Sequence, residues 1–100
     1  MNDIQSEVKI KEILFNNIPA KKYRVFMFGS RVKGKNRKFS DFDIGILGEQ
    51  EVKLQVLNRI EEELEESDIP YKVDIVDFKK VSEKFRRVAL ANTKKWIAKK

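Results

Sequence analysis

The chain has 100 residues and a formal net charge of +6; 41% of its residues are hydrophobic and 38% are charged, which predicts a single domain with a small core under a highly charged surface. It contains neither cysteine nor histidine, and this excludes disulfides, thiol nucleophiles, Ser-His triads and zinc or iron sites built on those ligands. The first residues resemble no signal peptide, and no apolar run reaches the roughly 18 residues of a membrane span, so we expect a cytoplasmic protein that does not bind a membrane.

The first half of the chain predicts a helix followed by two strands. Residues 3–17 place apolar side chains at helical spacing, and residues 23–28 form a continuous β-prone run that is typical of a buried strand. Gly29-Ser30 breaks this strand and opens a short helical turn, and residues 35–40 are a polar loop. A second strand is predicted where apolar residues alternate with Asp41, Asp43 and Gly45, namely at Phe42, Ile44 and Ile46.

The second half predicts a helix over residues 52–66, a strand over 71–78 and a final helix over 81–97. The alternation in the strand places Val73 and Ile75 on one face and Asp74 on the other. The order of elements predicts an α/β (α+β) protein with a small mixed three-stranded sheet and helices packed on one side of it.

The residues with the clearest chemical potential lie at the ends of the predicted strands. Gly29 allows the backbone to turn sharply and a ligand to approach closely, and Ser30 opens a helical turn whose free N–H groups attract phosphate. Asp41 and Asp43 project from one face of a strand, with Cα atoms about 6.5–7 Å apart. Asp74 completes a cluster of three carboxylates if its strand is the neighbour of theirs.

Three carboxylates on one face repel one another unless a cation neutralises them. Because the chain offers no histidine or cysteine ligand, the expected cation is Mg²⁺, with Mn²⁺ as a substitute. Mg²⁺ held by few carboxylates completes its shell with water and substrate phosphates. A phosphate-binding turn beside such a cluster therefore predicts phosphoryl or nucleotidyl transfer.

Charge is distributed unevenly, with a basic segment over residues 21–38, an acidic segment over 49–68 and a basic segment over 79–100. This asymmetry indicates a nucleotide, another polyanion or an acidic protein as a partner; the alternative is solvated helix faces and a solubilising tail. Within the first basic segment, Arg31 is the expected direct contact of a phosphate, since its guanidinium can bind two oxygens at once. The alternative for Arg31 is a structural ion pair.

The pattern Gly29-Ser30-x-x-x-Gly34-x5-Ser40-Asp41-x-Asp43 resembles the signature of the minimal nucleotidyltransferases, the small branch of the polymerase-beta-like superfamily. The segment Val73–Val76 resembles the strand that carries the third carboxylate of that family, and the resemblance extends over about residues 3–90. It implies the nucleotidyltransferase fold and a single minimal nucleotidyltransferase domain over residues 1–100. It also implies that Asp41, Asp43 and Asp74 are the catalytic and metal-binding residues, with Asp74 as the third ligand or the base, and that Gly29 and Ser30 hold the β- and γ-phosphates of ATP.

Family members of this size pair with a small helical HEPN protein, so the resemblance implies an antitoxin that transfers AMP from ATP to a tyrosine hydroxyl of a HEPN toxin. Two alternatives stay open: an antitoxin that neutralises its toxin by binding alone, and a nucleotidyltransferase that acts on a small molecule or a nucleic-acid end. Direct nucleic-acid binding is not expected. The final predicted helix is a candidate docking surface through Phe85, Val88 and Trp96; the alternative is that its apolar stripe only covers the sheet.

Overall fold

The computed structural model describes residues 1–34 and 40–98, which contain three helices and four strands. In chain order these are α1 (Asp3–Asn17), β1 (Tyr23–Phe28), β2 (Phe42–Gly48), α2 (Leu54–Glu66), β3 (Val73–Asp77), α3 (Glu83–Leu90) and β4 (Lys94–Trp96). The bounds predicted for the first helix and the first strand are confirmed. The polar loop predicted at 35–40 lies, except for Ser40, outside the described residues. Within the described ranges, no helix is long and apolar enough to cross a membrane.

The strands form one mixed sheet in the order β3-β2-β1-β4. β1 is antiparallel to both β2 and β4, whereas β2 is parallel to β3. Parallel neighbours cannot be joined by a tight turn, and α2 provides the crossover between them. The predicted α/β class with a mixed sheet is therefore confirmed, and the two strands with the predicted carboxylates are neighbours.

The sheet has four strands rather than the predicted three, because the last predicted helix is wrong in its second half. α3 ends at Leu90, and residues 94–96 return as β4 alongside β1, with Val25 paired to Trp96. The intervening residues Asn92 and Thr93 are weak helix formers, which favours the break. Burial of the Trp96 side chain, which is only 3% exposed, favours the strand.

The two faces of the sheet carry separate apolar clusters. The larger one packs the sheet against α1 and α2, and its fully buried members include Ile10, Leu14, Ile44, Ile46 and Ile60. The smaller one lies on the other face and consists of Phe26, Phe28 and Phe78, with Val81, Ala89 and Leu90 packed against them. The helices therefore cover both faces and not one, since the α3 segment packs on the second cluster.

Candidate active site

Asp43 and Asp74 face each other across the parallel strands β2 and β3, where their Cα atoms are register partners. Their neighbours Phe42, Ile44 and Ile75 belong to the main core, so strand alternation puts both carboxylates on the opposite face of the sheet. Burial, together with the negative charges of Asp74 and Asp41, raises the pKa of Asp43. The site is therefore a concentration of negative charge in which adding a cation is favourable.

One cation already lies near this pair. The Lys72 Nζ atom is 3.7 Å from Asp74 Oδ1, and it acts against the rise in the pKa of Asp43. The side chain of Lys72 is 71% exposed, so this ion pair is largely screened by water. Lys72 therefore neutralises the negative charge of the Asp43–Asp74 pair only in part.

Asp41 lies directly before β2 and is exposed. It is close enough to contribute to the raised pKa of Asp43. However, among residues 1–34 and 40–98 no group of three or more carboxylates is arranged to hold a metal ion as it stands. The structure thus brings Asp43 and Asp74 together as predicted, and leaves Asp41 at the margin of the pair.

The turn after β1 lies against the Asp43 carboxylate. Gly29 has a positive φ of 81°, and its carbonyl accepts hydrogen bonds from the backbone N–H groups of Val32 and Lys33, at 3.2 and 3.4 Å. This is the predicted helical turn. A Cβ atom at Gly29 would collide with Asp43 Oδ2, so glycine is required both by the backbone conformation and by the approach of the carboxylate. Ser30, the next residue, is exposed.

The contacts of Arg31 favour the alternative to the predicted phosphate contact. Its side chain is only 6% exposed, and its guanidinium donates to the Ser40 carbonyl at 2.6 and 3.0 Å and to the Asp41 carbonyl at 3.3 Å. It also pairs with Asp3 Oδ2 at 3.1 Å. The alternative of a structural ion pair is the one the geometry favours, because these contacts occupy the guanidinium and bury it.

Two residues that border this region were missed by the sequence analysis, namely Asp3 and Tyr71. Hydrogen bonds from the Tyr71 hydroxyl and from Arg31 lower the pKa of Asp3, and the Arg31 guanidinium lies 4.8 Å from the centroid of the Tyr71 ring. No spacing rule connects positions 3, 31 and 71, so only the tertiary structure brings them together.

Trp96 is part of the main core and not of a docking surface, as its 3% exposure shows. The prediction that it contacts a partner is therefore wrong. The alternative, a helix stripe that covers the sheet, does not describe Trp96 either, because this residue lies in strand β4 of the sheet itself. Phe85 and Val88 on α3 are 43% and 60% exposed. The aromatic ring of Phe85 packs edge-on against Phe28 beside the carboxylate face, with 6.1 Å between ring centroids.

The family model for polymerase beta nucleotidyltransferases matches residues 8–100. The chain belongs to this family. It is 42% identical over 88 residues to a probable protein adenylyltransferase MntA of Haemophilus influenzae, an alignment that covers 86% of this chain and 75% of that protein.

Two solved structures show the same nucleotidyltransferase fold. A toxin–antitoxin complex with AMP-PNP is matched with a TM-score of 0.73 at 26% identity, covering 94% of this chain and 74% of that one. A complex of a tri-AMPylated Shewanella oneidensis HEPN toxin with an MNT antitoxin is matched with a TM-score of 0.62 at 23% identity, covering 95% and 71%.

The donor set of this nucleotidyltransferase fits Mg²⁺. Carboxylate oxygens are the ligands that Mg²⁺ prefers, and the ion is commonly held by one or two carboxylates while water and substrate phosphates complete its shell. Asp43 and Asp74 supply such a pair. Burial raises the pKa of Asp43 most, and the repulsion from Asp74 and Asp41, which a cation would relieve, raises it further. The Asp43 carboxylate of this pair lies directly against the turn at Gly29.

Proposed function

We propose that this nucleotidyltransferase is an antitoxin that transfers AMP from ATP to a tyrosine hydroxyl of a partner HEPN toxin, and that residues 1–100 act as one domain in doing so. The observation that carries the proposal is the register pairing of Asp43 with Asp74 beside the turn at Gly29. The 42% identity to a probable protein adenylyltransferase supports AMP as the transferred group. We expect this activity in the cytoplasm, as the sequence analysis predicts.

In this reaction the hydroxyl oxygen of the acceptor attacks the α-phosphorus of ATP. The bond between that phosphorus and the oxygen bridging to the β-phosphate breaks, pyrophosphate leaves, and the hydroxyl proton passes to a carboxylate. Asp74 is the assigned acceptor of this proton, since it lies on the edge strand β3 and its side chain is 42% exposed. A carboxylate within hydrogen-bond reach of the acceptor can serve as the general base.

Asp43 and Asp74 would hold Mg²⁺, and Asp41 would join them once nucleotide is bound. The bound ion supplies neutralisation of phosphate charge, which is worth several kcal/mol in the transition state. The backbone N–H groups of the turn at Gly29 and Ser30 would hold the β- and γ-phosphates, as N–H groups do at the beginning of a helix. Arg31 takes no part in binding phosphate in this scheme.

The experiment that tests the proposal is transfer of labelled AMP from ATP to the purified toxin, with Asp43→Asn as the variant and Asp68→Asn as the matched control. Asp68 is exposed and lies between α2 and β3, so its substitution removes one carboxylate charge without touching the site. We expect wild type and Asp68→Asn to transfer AMP equally. Asp43→Asn should lose at least about 100-fold in rate, because each 1.36 kcal/mol of lost stabilisation costs a factor of ten.

The same samples separate the remaining alternatives. If wild type and Asp43→Asn block the toxin equally well, and wild type does not label it with AMP, the protein is an antitoxin that acts by binding alone. Labelling of an added small molecule or of a nucleic-acid end in preference to the toxin would identify a different acceptor. Equal transfer by Asp43→Asn and wild type would refute the assignment of the site.

A further inference from the structure

Arg31 connects parts of the chain that are far apart in sequence. It belongs to the turn after β1, its guanidinium binds the Ser40 and Asp41 carbonyls directly before β2, and it pairs with Asp3 at the beginning of α1. A charged side chain that is 6% exposed is costly to bury unless its donors are bonded. These bonds provide that compensation. They hold the guanidinium in one position, and the guanidinium in turn restrains the two carbonyls and the carboxylate that it binds.

Stacking against aromatic rings defines the orientation of the guanidinium. Its central carbon lies 3.9 Å from the centroid of the Phe42 ring and 4.8 Å from that of Tyr71. The two rings contact each other edge to face, with centroids 5.4 Å apart. A planar cation held against two such rings has little freedom to rotate.

The segment that precedes β2 is thereby held from two sides. Arg31 binds the carbonyls of residues 40 and 41, while the backbone N–H of Phe42 donates to the Lys72 carbonyl at 2.9 Å. Asp41 lies between these anchors with its side chain exposed. The backbone of Asp41 is therefore held on both sides, while its exposed side chain is accessible to a ligand.

From this geometry, and resting on the proposed function, we infer that Arg31 is a positioning residue: it presents the Asp41 carboxylate to the nucleotide-bound metal beside Asp43. Arg31 does not touch the substrate and acts through the backbone of residues 40 and 41. It links the phosphate-binding turn to the carboxylate strand, so both halves of the site are placed by one side chain. Groups that orient metal ligands in this indirect way commonly matter almost as much as the ligands themselves.

The test uses Arg31→Lys and Arg31→Met, with Arg59→Lys and Arg59→Met as matched controls. Arg59 is exposed on α2, so its variants remove the same groups far from the site. Lysine keeps the charge at position 31, but it cannot bond two carbonyls and a carboxylate in one plane. Two quantities are measured: the Mg²⁺ concentration that gives half of the thermal stabilisation by ATP, and kcat and KM for AMP transfer to the toxin.

We expect both Arg31 variants to raise the half-stabilising Mg²⁺ concentration by about tenfold and to lower kcat by about 10–100-fold, with KM for the toxin changed less than about twofold. The Arg59 variants should match wild type in every quantity. A purely structural role would lower the melting temperature without changing the Mg²⁺ requirement or kcat of the folded protein. That result with Arg31→Lys would overturn the inference.

Asp3→Asn tests the positioning role of Arg31 if both Arg31 variants fail to fold. It weakens the hold on the guanidinium and leaves the carbonyl bonds, so it should raise the Mg²⁺ requirement by a few-fold, whereas Asp68→Asn should not change it. An unchanged Mg²⁺ requirement in Asp3→Asn would then refute the positioning role. If wild type transfers no AMP, the proposed function fails; the Mg²⁺ measurement still decides the role of Arg31 in metal binding.

Discussion

Gly29 and Gly34 offer a matched pair for testing the site at the scale of single residues. Both have positive φ, 81° and 71°, so alanine costs about 1–2 kcal/mol of backbone strain at either position. A Cβ at Gly34 meets no atom of the described residues within 4 Å, whereas a Cβ at Gly29 collides with the Asp43 carboxylate. We therefore expect both alanine variants to lose stability, and only Gly29→Ala to lose about 100-fold in AMP transfer, through displacement of Asp43.

Urea denaturation measures the two losses of stability, and transfer assays well below both unfolding midpoints measure activity of the folded protein. A folded Gly29→Ala protein with the wild-type transfer rate would show that the turn and the carboxylate move independently. Equal loss of activity in Gly34→Ala would point to the conformation of the whole turn.

The raised pKa of Asp43 predicts how stability of the metal-free protein depends on pH. The folded state binds this proton more tightly than the unfolded state, in which the pKa is near its ordinary 3.8. The stabilisation is therefore complete below the unfolded value and is lost as pH rises through the raised folded value. At neutral pH the charged Asp43 opposes folding, and we expect Asp43→Asn to be at least as stable as wild type.

Urea melts in EDTA between about pH 4 and pH 7 compare Asp43→Asn with wild type. The advantage of the variant should be largest at pH 7 and should shrink as pH falls. An advantage that does not depend on pH would mean that burial and charge repulsion do not raise the pKa of Asp43 in the folded protein.

The sequence predicted the carboxylates and the glycine turn because their signals are local: alternation along a strand, and a glycine at a strand end. The role of Arg31 could not be predicted in the same way. Its partners at positions 3, 40 to 42 and 71 become neighbours only in the folded chain. A basic segment gives no indication of which arginine is buried.

At the scale of elements, β4 shows where local pattern is insufficient. The sequence predicted the bounds of α1 and β1 correctly, because apolar residues at helical spacing and a continuous β-prone run are both local signals. Residues 94–96 form only a short strand, and its existence depends on pairing with β1, some 70 residues earlier in the chain. The apolar spacing of Phe85, Val88 and Trp96 therefore suggested one continuous helix.

The position of Trp96 in β4 predicts a large loss of stability in Trp96→Ala. Truncating a buried tryptophan leaves a cavity and should cost about 3–5 kcal/mol, whereas Ile97→Ala next to it, at a side chain 75% exposed, should change stability by less than about 0.5 kcal/mol. Trp96→Phe should cost less than alanine. One reason is that the indole N–H is buried with no hydrogen-bond acceptor among the described residues.

Chemical denaturation of the three variants measures these differences. A Trp96→Ala protein with wild-type stability would contradict the burial of this residue. If Trp96→Ala instead reduced toxin affinity without reducing stability, Trp96 would contact the toxin after all.

On α3, contact of Phe85 and Val88 with the toxin stays a prediction. Both side chains are apolar and exposed, and the helix carries basic residues around them. We expect Val88→Asp to weaken toxin binding by about tenfold or more, because charge in an apolar contact is poorly solvated. Leu54→Asp is the control, since Leu54 is 67% exposed on α2; calorimetric titration with equal affinities for the two variants would contradict the prediction.

At the scale of the whole molecule, binding of nucleotide and metal should increase the free energy of unfolding. At a nucleotide concentration 100-fold above its dissociation constant, binding to the folded state alone adds about 2.7 kcal/mol to the free energy of unfolding. We expect thermal unfolding to shift upward with Mg²⁺ and ATP, and EDTA to remove most of this shift. No difference between Mg²⁺-ATP and EDTA-ATP at millimolar nucleotide would argue against a functional metal site.

The pairing of β2 with β3 also links the chemistry to the folding of the chain. Because side chains alternate along a strand, a slip of one residue would turn Asp74 into the main core and expose Val73 and Ile75. Parallel pairs joined through a helix are non-local contacts that form slowly, so mispaired chains are the natural by-product of refolding. A ligand that requires both carboxylates on one face binds only correctly paired chains. Metal and nucleotide present during refolding should therefore shift the equilibrium from mispaired to correctly paired chains and raise the yield of native protein.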